Sequence, residues 1–166
     1  MFFAAAFAAM LLCSSANGYA QKIGVIDATF IQDLPAYKAA MDKMQAASKI
    51  WNDSLSMMAT NYKATTEKYQ KIASTMSDDA KQKAAAELDQ LQQSANAYQN
   101  AKFNQQNGEM VKMQADLLGP IRDMIKKEVE SIAKKRKIDI VLQKDNAVFV
   151  GDGVTDLTDE VKKALK

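Results

Sequence analysis

From Tyr37 to Met76 the chain repeats one spacing without exception: Tyr37, Met41, Met44, Ser48, Trp51, Leu55, Met58, Tyr62, Thr65, Tyr69, Ile72 and Met76 follow one another at alternating intervals of four and three. All but Ser48 and Thr65 are apolar or aromatic. A heptad pattern kept for so long specifies a coiled-coil seam rather than the broad buried face of a globular helix. A second, weaker seam runs through Ala84, Leu88, Leu91, Ala95 and Tyr98, slips by one residue and resumes through Phe103, Gln106, Met110, Met113 and Leu117. Between the two, Ser77 followed by Asp78 and Asp79 reads as a fresh helix start. The pattern therefore predicts a reversal near 74–78 and two antiparallel arms, residues 36–74 and 78–118.

Outside the arms the period changes. Lys22 to Thr29 is rich in β-branched residues and reads as a strand. Ile138–Gln143 and Ala147–Val150 read as two more, joined in a hairpin by Lys144, Asp145 and Asn146. Thr158 is placed to cap a last short helix. The two prolines of the chain, Pro35 and Pro120, fall at the same level of such a hairpin, Pro120 directly after Gly119. Pro35, Gly119 and Pro120 are thus expected to form a hinge at the root, with the returning chain bending as it enters the body. At 1.5 Å per residue the arms reach roughly 60 Å. Gly108, read inside the returning helix, and the polar run Gln99 to Asn107 predict an arm that bends. The fold class is α+β, mostly α: a long helical hairpin (36–118) extending from a small β-body (21–35 and 119–166). Three short strands and one short helix bury too little surface to stand alone, so strands from several chains are expected to close one oligomeric barrel.

Composition then narrows the chemistry. Phe2 to Cys13 is an unbroken apolar run, too short to cross a bilayer but suited to a secretory signal, and Gly18 and Ala20 supply small residues for cleavage after Ala20. Leu11 and Leu12, directly before Cys13, do not fit a lipidation site. Residues 21–166 contain neither cysteine nor histidine. Disulfides, Cys/His metal sites and Ser-His-Asp triads are excluded by inventory. The acidic pairs Asp78–Asp79 and Asp159–Glu160 each open an expected helix, where negative charge suits the dipole. No catalytic constellation emerges, so the chain reads as a non-enzyme with no cofactor and no metal.

The segments KIGVIDATFIQDLPAYKAAMDKM, LLGPIRDMIKKEVESIAKKRKIDIVLQKDNAVFV and DLTDEVKKALK resemble the Skp/OmpH family of periplasmic chaperones. The arms match that family only in length and style. The resemblance implies a homotrimer with a β-barrel body and three helical tentacles that enclose unfolded outer-membrane β-barrel proteins. It implies an ATP-independent holdase in the periplasm, handing its clients to the outer-membrane assembly machinery.

Methionine is unbranched and polarizable, so it adapts to many apolar partners. On the arms Ile50, Met57, Met58, Met110 and Met113 are the candidate client-binding residues. Met58 also fits the seam, whereas Ile50 and Met57 fall beside it, where client contact and simple packing are both open. Residues 36–118 carry ten Lys or Arg against nine Asp or Glu, a net charge of +1. Capture of anionic clients by the arms is accordingly not favoured. Basic residues gather instead at Lys134, Lys135, Arg136 and Lys137. They suit a helix C-terminus, and the functional alternative is contact with anionic lipid or lipopolysaccharide. A net charge of +2 without an aromatic and basic platform gives no nucleic-acid interface. A prefoldin-like assembly would share the physics but not the signal segment. The serious rival is a structural coiled-coil spacer or tether of the cell envelope. When the full chain is expressed with export, intact-mass analysis of the periplasmic product is expected to give a chain beginning at Gln21, and retention of residues 1–20 would overturn the signal-peptide reading.

Overall fold

The computed structural model describes residues 21–165. The expected signal segment, residues 1–20, and Lys166 lie outside the described residues. β1 (Ile23–Ile26) leads through a 3-10 turn (Ala28–Asp33) into α1 (Pro35–Ile72), a helix of 38 residues. Pro35 stands in its first turn, where a missing N–H costs nothing and the fixed φ favours the helix. After a short 3-10 turn (Ala73–Thr75) the chain reverses into α2 (Asp78–Phe103). The Ser77 Oγ accepts from the Ala80 N–H at 3.3 Å, and Asp78 and Asp79 occupy the first turn. The reversal and its cap thus lie where the sequence puts them.

The returning arm departs from the expectation. It is not one helix to residue 118 followed by a bend at Gly119–Pro120. It breaks earlier, at Asn104–Gly108, and α3 (Glu109–Arg136) then runs through Gly119 and Pro120 without interruption. The break is a built elbow. The Asn104 Oδ1 accepts from the N–H groups of Gln106 (2.9 Å) and Asn107 (3.2 Å), and the Gly108 N–H donates to the Asn104 carbonyl at 2.9 Å. Gly108 is therefore not a weak point inside a helix but the residue that caps α3. A Cβ there would lie 2.6 Å from both the N and the O of Asn104, so only glycine fits. Pro120 is tolerated because α3 is held on both sides of it by packing: Leu117, Leu118, Ile121 and Ile125 all belong to or flank the core.

The strands also differ from the hairpin reading. β2 (Ile140–Gln143) and β3 (Thr155–Asp156) flank β1 in the order β2-β1-β3, and both pair with β1 in parallel. Ile23 faces Ile140 across one ladder, and Gly24 faces Thr155 across the other. Lys144–Asn146 form a 3-10 turn rather than a hairpin turn, and Ala147–Val150 is not a strand. Val148 and Phe149 project into solvent. The third strand is instead the polar pair Thr155–Asp156, fixed where the Leu157 N–H donates to the Val25 carbonyl at 2.9 Å.

α4 (Thr158–Ala164) closes the core. Thr158 is its first residue rather than its cap, with its N–H donating to the Asp156 Oδ1 at 2.9 Å and its Oγ1 accepting from the Asp27 N–H at 2.9 Å. The Thr158 hydroxyl, which also donates to the Asp156 Oδ1, and the Thr158 N–H hold the Asp156 carboxyl below the ordinary carboxylate range. The core gathers Ile26, Phe30, Leu34, Ile121, Ile132 and Ile138 around Leu157 and Val161, which are completely buried.

The two glycines of the returning arm make opposite predictions for alanine. Gly119→Ala meets open space inside a helix and is expected to stabilise by about 0.5–1 kcal/mol. Gly108→Ala must displace backbone and is expected to cost about 2 kcal/mol. Urea unfolding followed by circular dichroism checks both, and equal effects of the two substitutions would remove the close-packed elbow.

Candidate functional site

The seam read from sequence is the buried stripe of α1. Trp51 is buried, and Tyr37, Met44, Ser48, Leu55, Met58, Tyr62, Thr65 and Tyr69 are half-buried, while Met41 and Ile72 near its two ends are exposed. Met58 lines a cleft with Leu55 and Tyr62 opposite Leu91 and Ala95 of α2, so it packs between the arms. Met110 and Met113 are half-buried on α3, Met113 beside Leu117 and Lys43. Ile50 and Met57 are different. They are 63% and 73% exposed, and a spacing of seven sets them on one face of α1, two turns apart. The five candidate residues therefore divide into three that pack and two that project.

At the elbow the arm is clamped by side chains. The Trp51 and Phe103 rings meet edge to face at a centroid separation of 5.8 Å and an interplanar angle of 83°. The Lys102 Nζ lies 5.3 Å from the Trp51 ring centre and 5.5 Å from that of Tyr98, while forming an ion pair with Glu109 at 2.6 Å. The lysine thus ties the end of α2 to the start of α3 over an aromatic floor. Sequence reading put Trp51 and Phe103 in the seams but missed Lys102 and the clamp. The available signal was the Asn107-Gly108 pair, a turn marker set between two helical runs. Nearer the tip, the Tyr69 hydroxyl donates to Glu87, which together with partial desolvation holds the phenol above its ordinary range.

The basic cluster ends α3. Lys137 has left-handed backbone (φ 55°) and its N–H closes the helix on the carbonyls of Ala133 and Lys134, the position that glycine usually fills. Arg136 pairs with Glu160 of α4, so one of the four cations docks the last helix. Lys134, Lys135 and Lys137 are exposed. The arrangement supplies a helix-end role for the cluster without any ligand.

The body carries an uncovered apolar surface. Ile23, Ile140 and Leu142 of the sheet are partly exposed, and Phe149 is 84% exposed. Among the described residues β2 and β3 each have one edge without a partner. Among the described residues no group of His, Cys, Asp or Glu is placed to hold a metal, and no helix is long and apolar enough to cross a membrane.

Comparison with known proteins decides what kind of molecule this is. Residues 22–165 match the family model described as outer membrane protein (OmpH-like). The chain belongs to the OmpH-like family. Its fold is also that of an OmpH-like protein from Caulobacter crescentus named as an outer membrane chaperone, with a TM-score of 0.70 over 87% of this chain and 83% of the other. At 14% identity that likeness concerns the fold alone. No curated protein sequence matches. An OmpH-like architecture of helical hairpin and small sheet is thus established.

The elbow clamp can be tested directly. Trp51→Ala removes a buried ring and is expected to cost about 3 kcal/mol. Lys102→Ala removes a largely covered cation above two rings and is expected to cost about 1 kcal/mol. Urea unfolding of both variants would overturn the clamp if Trp51→Ala left the midpoint unchanged.

Proposed function

We propose that this chain is an ATP-independent periplasmic holdase that binds unfolded outer-membrane β-barrel proteins and keeps them from aggregating in transit to the outer membrane. Membership of the OmpH-like family supports a chaperone role in the periplasm. The observation that carries the finer reading is the exposed pair Ile50 and Met57 on an arm too thin to cover them. A two-helix hairpin has one internal seam, so apolar residues beside that seam stay in water until something else covers them. Ile50 and Met57 are the proposed primary client contacts. Met58, Met110 and Met113 contribute when the arms shift and the seam loosens.

The remaining parts fit that role. Homotrimerisation would cover Ile23, Ile140, Leu142 and Phe149 and satisfy the free sheet edges, gathering three arms about one space. Lys134, Lys135 and Lys137 remain available for anionic lipid or lipopolysaccharide, beside their helix-end role. The alternative, a stiff envelope spacer, gives Ile50 and Met57 no purpose.

Light scattering during dilution of a urea-unfolded outer-membrane β-barrel into the chaperone, without nucleotide, tests the reading. Aggregation is expected to be suppressed with saturation near one client for every three chains, and Ile50→Ser with Met57→Ser to weaken suppression several-fold without changing helicity. Unaltered aggregation in the presence of a well-folded oligomer would favour the spacer.

A further inference from the structure

The cavity of about 390 Å³ at the root of the arm has a composition unlike the surface around it. Its floor is core: Ile26, Phe30 and Ile121 are buried side chains belonging to β1, the turn before α1, and α3. Ile125 and Val129 continue the apolar wall along α3. Of the polar residues that line it, Arg122, Lys126 and Gln143 are exposed and stand at its solvent edge, while Tyr37 is half-buried. Arg122 and Lys126 are four apart on α3 and share a face. No Asp or Glu lines the cavity, so two cations border an apolar hollow with no anion among the lining residues.

Neither cation has a strong internal partner. Among the described residues Arg122 forms no ion pair, and Lys126 reaches only Glu130, at 4.0 Å. Two cations one helical turn apart repel modestly, and an anion between them relieves that cost. The cavity size is at the low end of the range for small-molecule sites, which are apolar hollows whose few polar groups fix orientation. The hollow therefore has room for one slender apolar group and a rim for one negative charge.

The geometry points to a binding site for a single-chain anionic amphiphile, its hydrocarbon tail in the hollow floored by Phe30 and Ile121 and its carboxylate or phosphate headgroup between Arg122 and Lys126. Such a ligand touches α3 beside Leu118 and the turn that leads into α1, the two segments that carry the root of the arm. Occupancy ties them together. A monoacyl carboxylate and a monoacyl phosphate present the same chemistry and differ only in source, a free fatty acid or a degraded phospholipid. The site is separate from the arm surface proposed for clients, so its test does not depend on holdase activity.

Isothermal titration of the exported chain, purified without detergent, provides the test, with laurate and lauroyl-lysophosphatidate as ligands below their micelle concentrations. Dodecyltrimethylammonium, which has the same tail and a positive head, is the control, and unilamellar phosphatidylglycerol vesicles test for a bilayer. One site per chain is expected for the anionic ligands, with the tighter of the two identifying the source. The cationic control is expected to bind at least about tenfold more weakly, the worth of one or two charge-assisted bonds. Arg122→Gln with Lys126→Gln, both at exposed positions, should remove that preference, and Ala28→Leu, which fills the hollow, should weaken anionic and cationic ligands alike. Equal binding of both head charges, insensitivity to the rim substitutions, or binding to vesicles alone would overturn the assignment. So would absence of binding by a folded oligomer, which would mean that a second copy covers the hollow.

Discussion

Everything in this molecule hangs on α3, a single helix obliged to serve two partners. Its first half returns along α1 as part of the arm, and its second half forms the wall of the body. A helix that changes partner must either bend or turn its apolar face. α3 turns its face. From Met113 the apolar residues Leu117, Ile121, Ile125 and Val129 follow at intervals of four. Each step of four advances the stripe by about 40° around a helix of 3.6 residues per turn, so four steps carry it through about 160°. The stripe that begins against α1 therefore ends against the body, without a break in the backbone. Gly119 and Pro120 sit within this rotation, and packing on both sides of them fixes the helix.

The cost of the arrangement falls on the arm. A hairpin of two helices has one narrow interface, and here even that interface is interrupted where α2 gives way to α3. The elbow substitutes local bonding for the missing helical turns: an asparagine side chain accepts two backbone N–H groups, and Lys102 holds Glu109 across the aromatic pair. Because these contacts are few and close to solvent, the elbow depends on shape, and Gly108 is the residue that permits the shape. Beyond it the exposed ion pairs of the arm, such as Lys49–Asp53 and Lys83–Asp79, contribute little, since both partners are well solvated.

What could be read from the chain follows the range of the forces involved. The seam of α1 and the Ser77 cap are set by neighbours within a few residues, and both are found where their spacing puts them. The hairpin of Ile138–Gln143 with Ala147–Val150 failed because β-propensity describes a fit to a half-buried surface and names no partner. AVFV has the propensity but no strand beside it. Thr155–Asp156 is too short and polar to announce itself, yet becomes a strand because Val25 and Leu157 bring it against the free edge of β1. Gly119–Pro120 was over-read for the converse reason: a local breaker signal was outweighed by tertiary contacts made by Leu117, Leu118, Ile121 and Ile125. Of the candidate site, the position of Ile50 and Met57 beside the seam was legible from phase, but whether they pack or project was not. The clamp at Lys102 was not, since it requires knowing which residue of α1 lies opposite the end of α2.

In the proposed role, these weaknesses have a use. A surface that binds many unfolded chains must offer contacts that are individually weak and released without an energy source. Ile50 and Met57 stand seven residues apart with polar or small side chains between most of their neighbours, so each exposes an apolar group without merging into a patch that would make the arms adhere to one another. Methionine adds tolerance of shape, because its unbranched side chain can follow an irregular partner. A nearly neutral arm also lets apolar contact decide the binding, with little long-range attraction to slow release. Stronger charge or a broader apolar face would raise affinity, but at the expense of letting go.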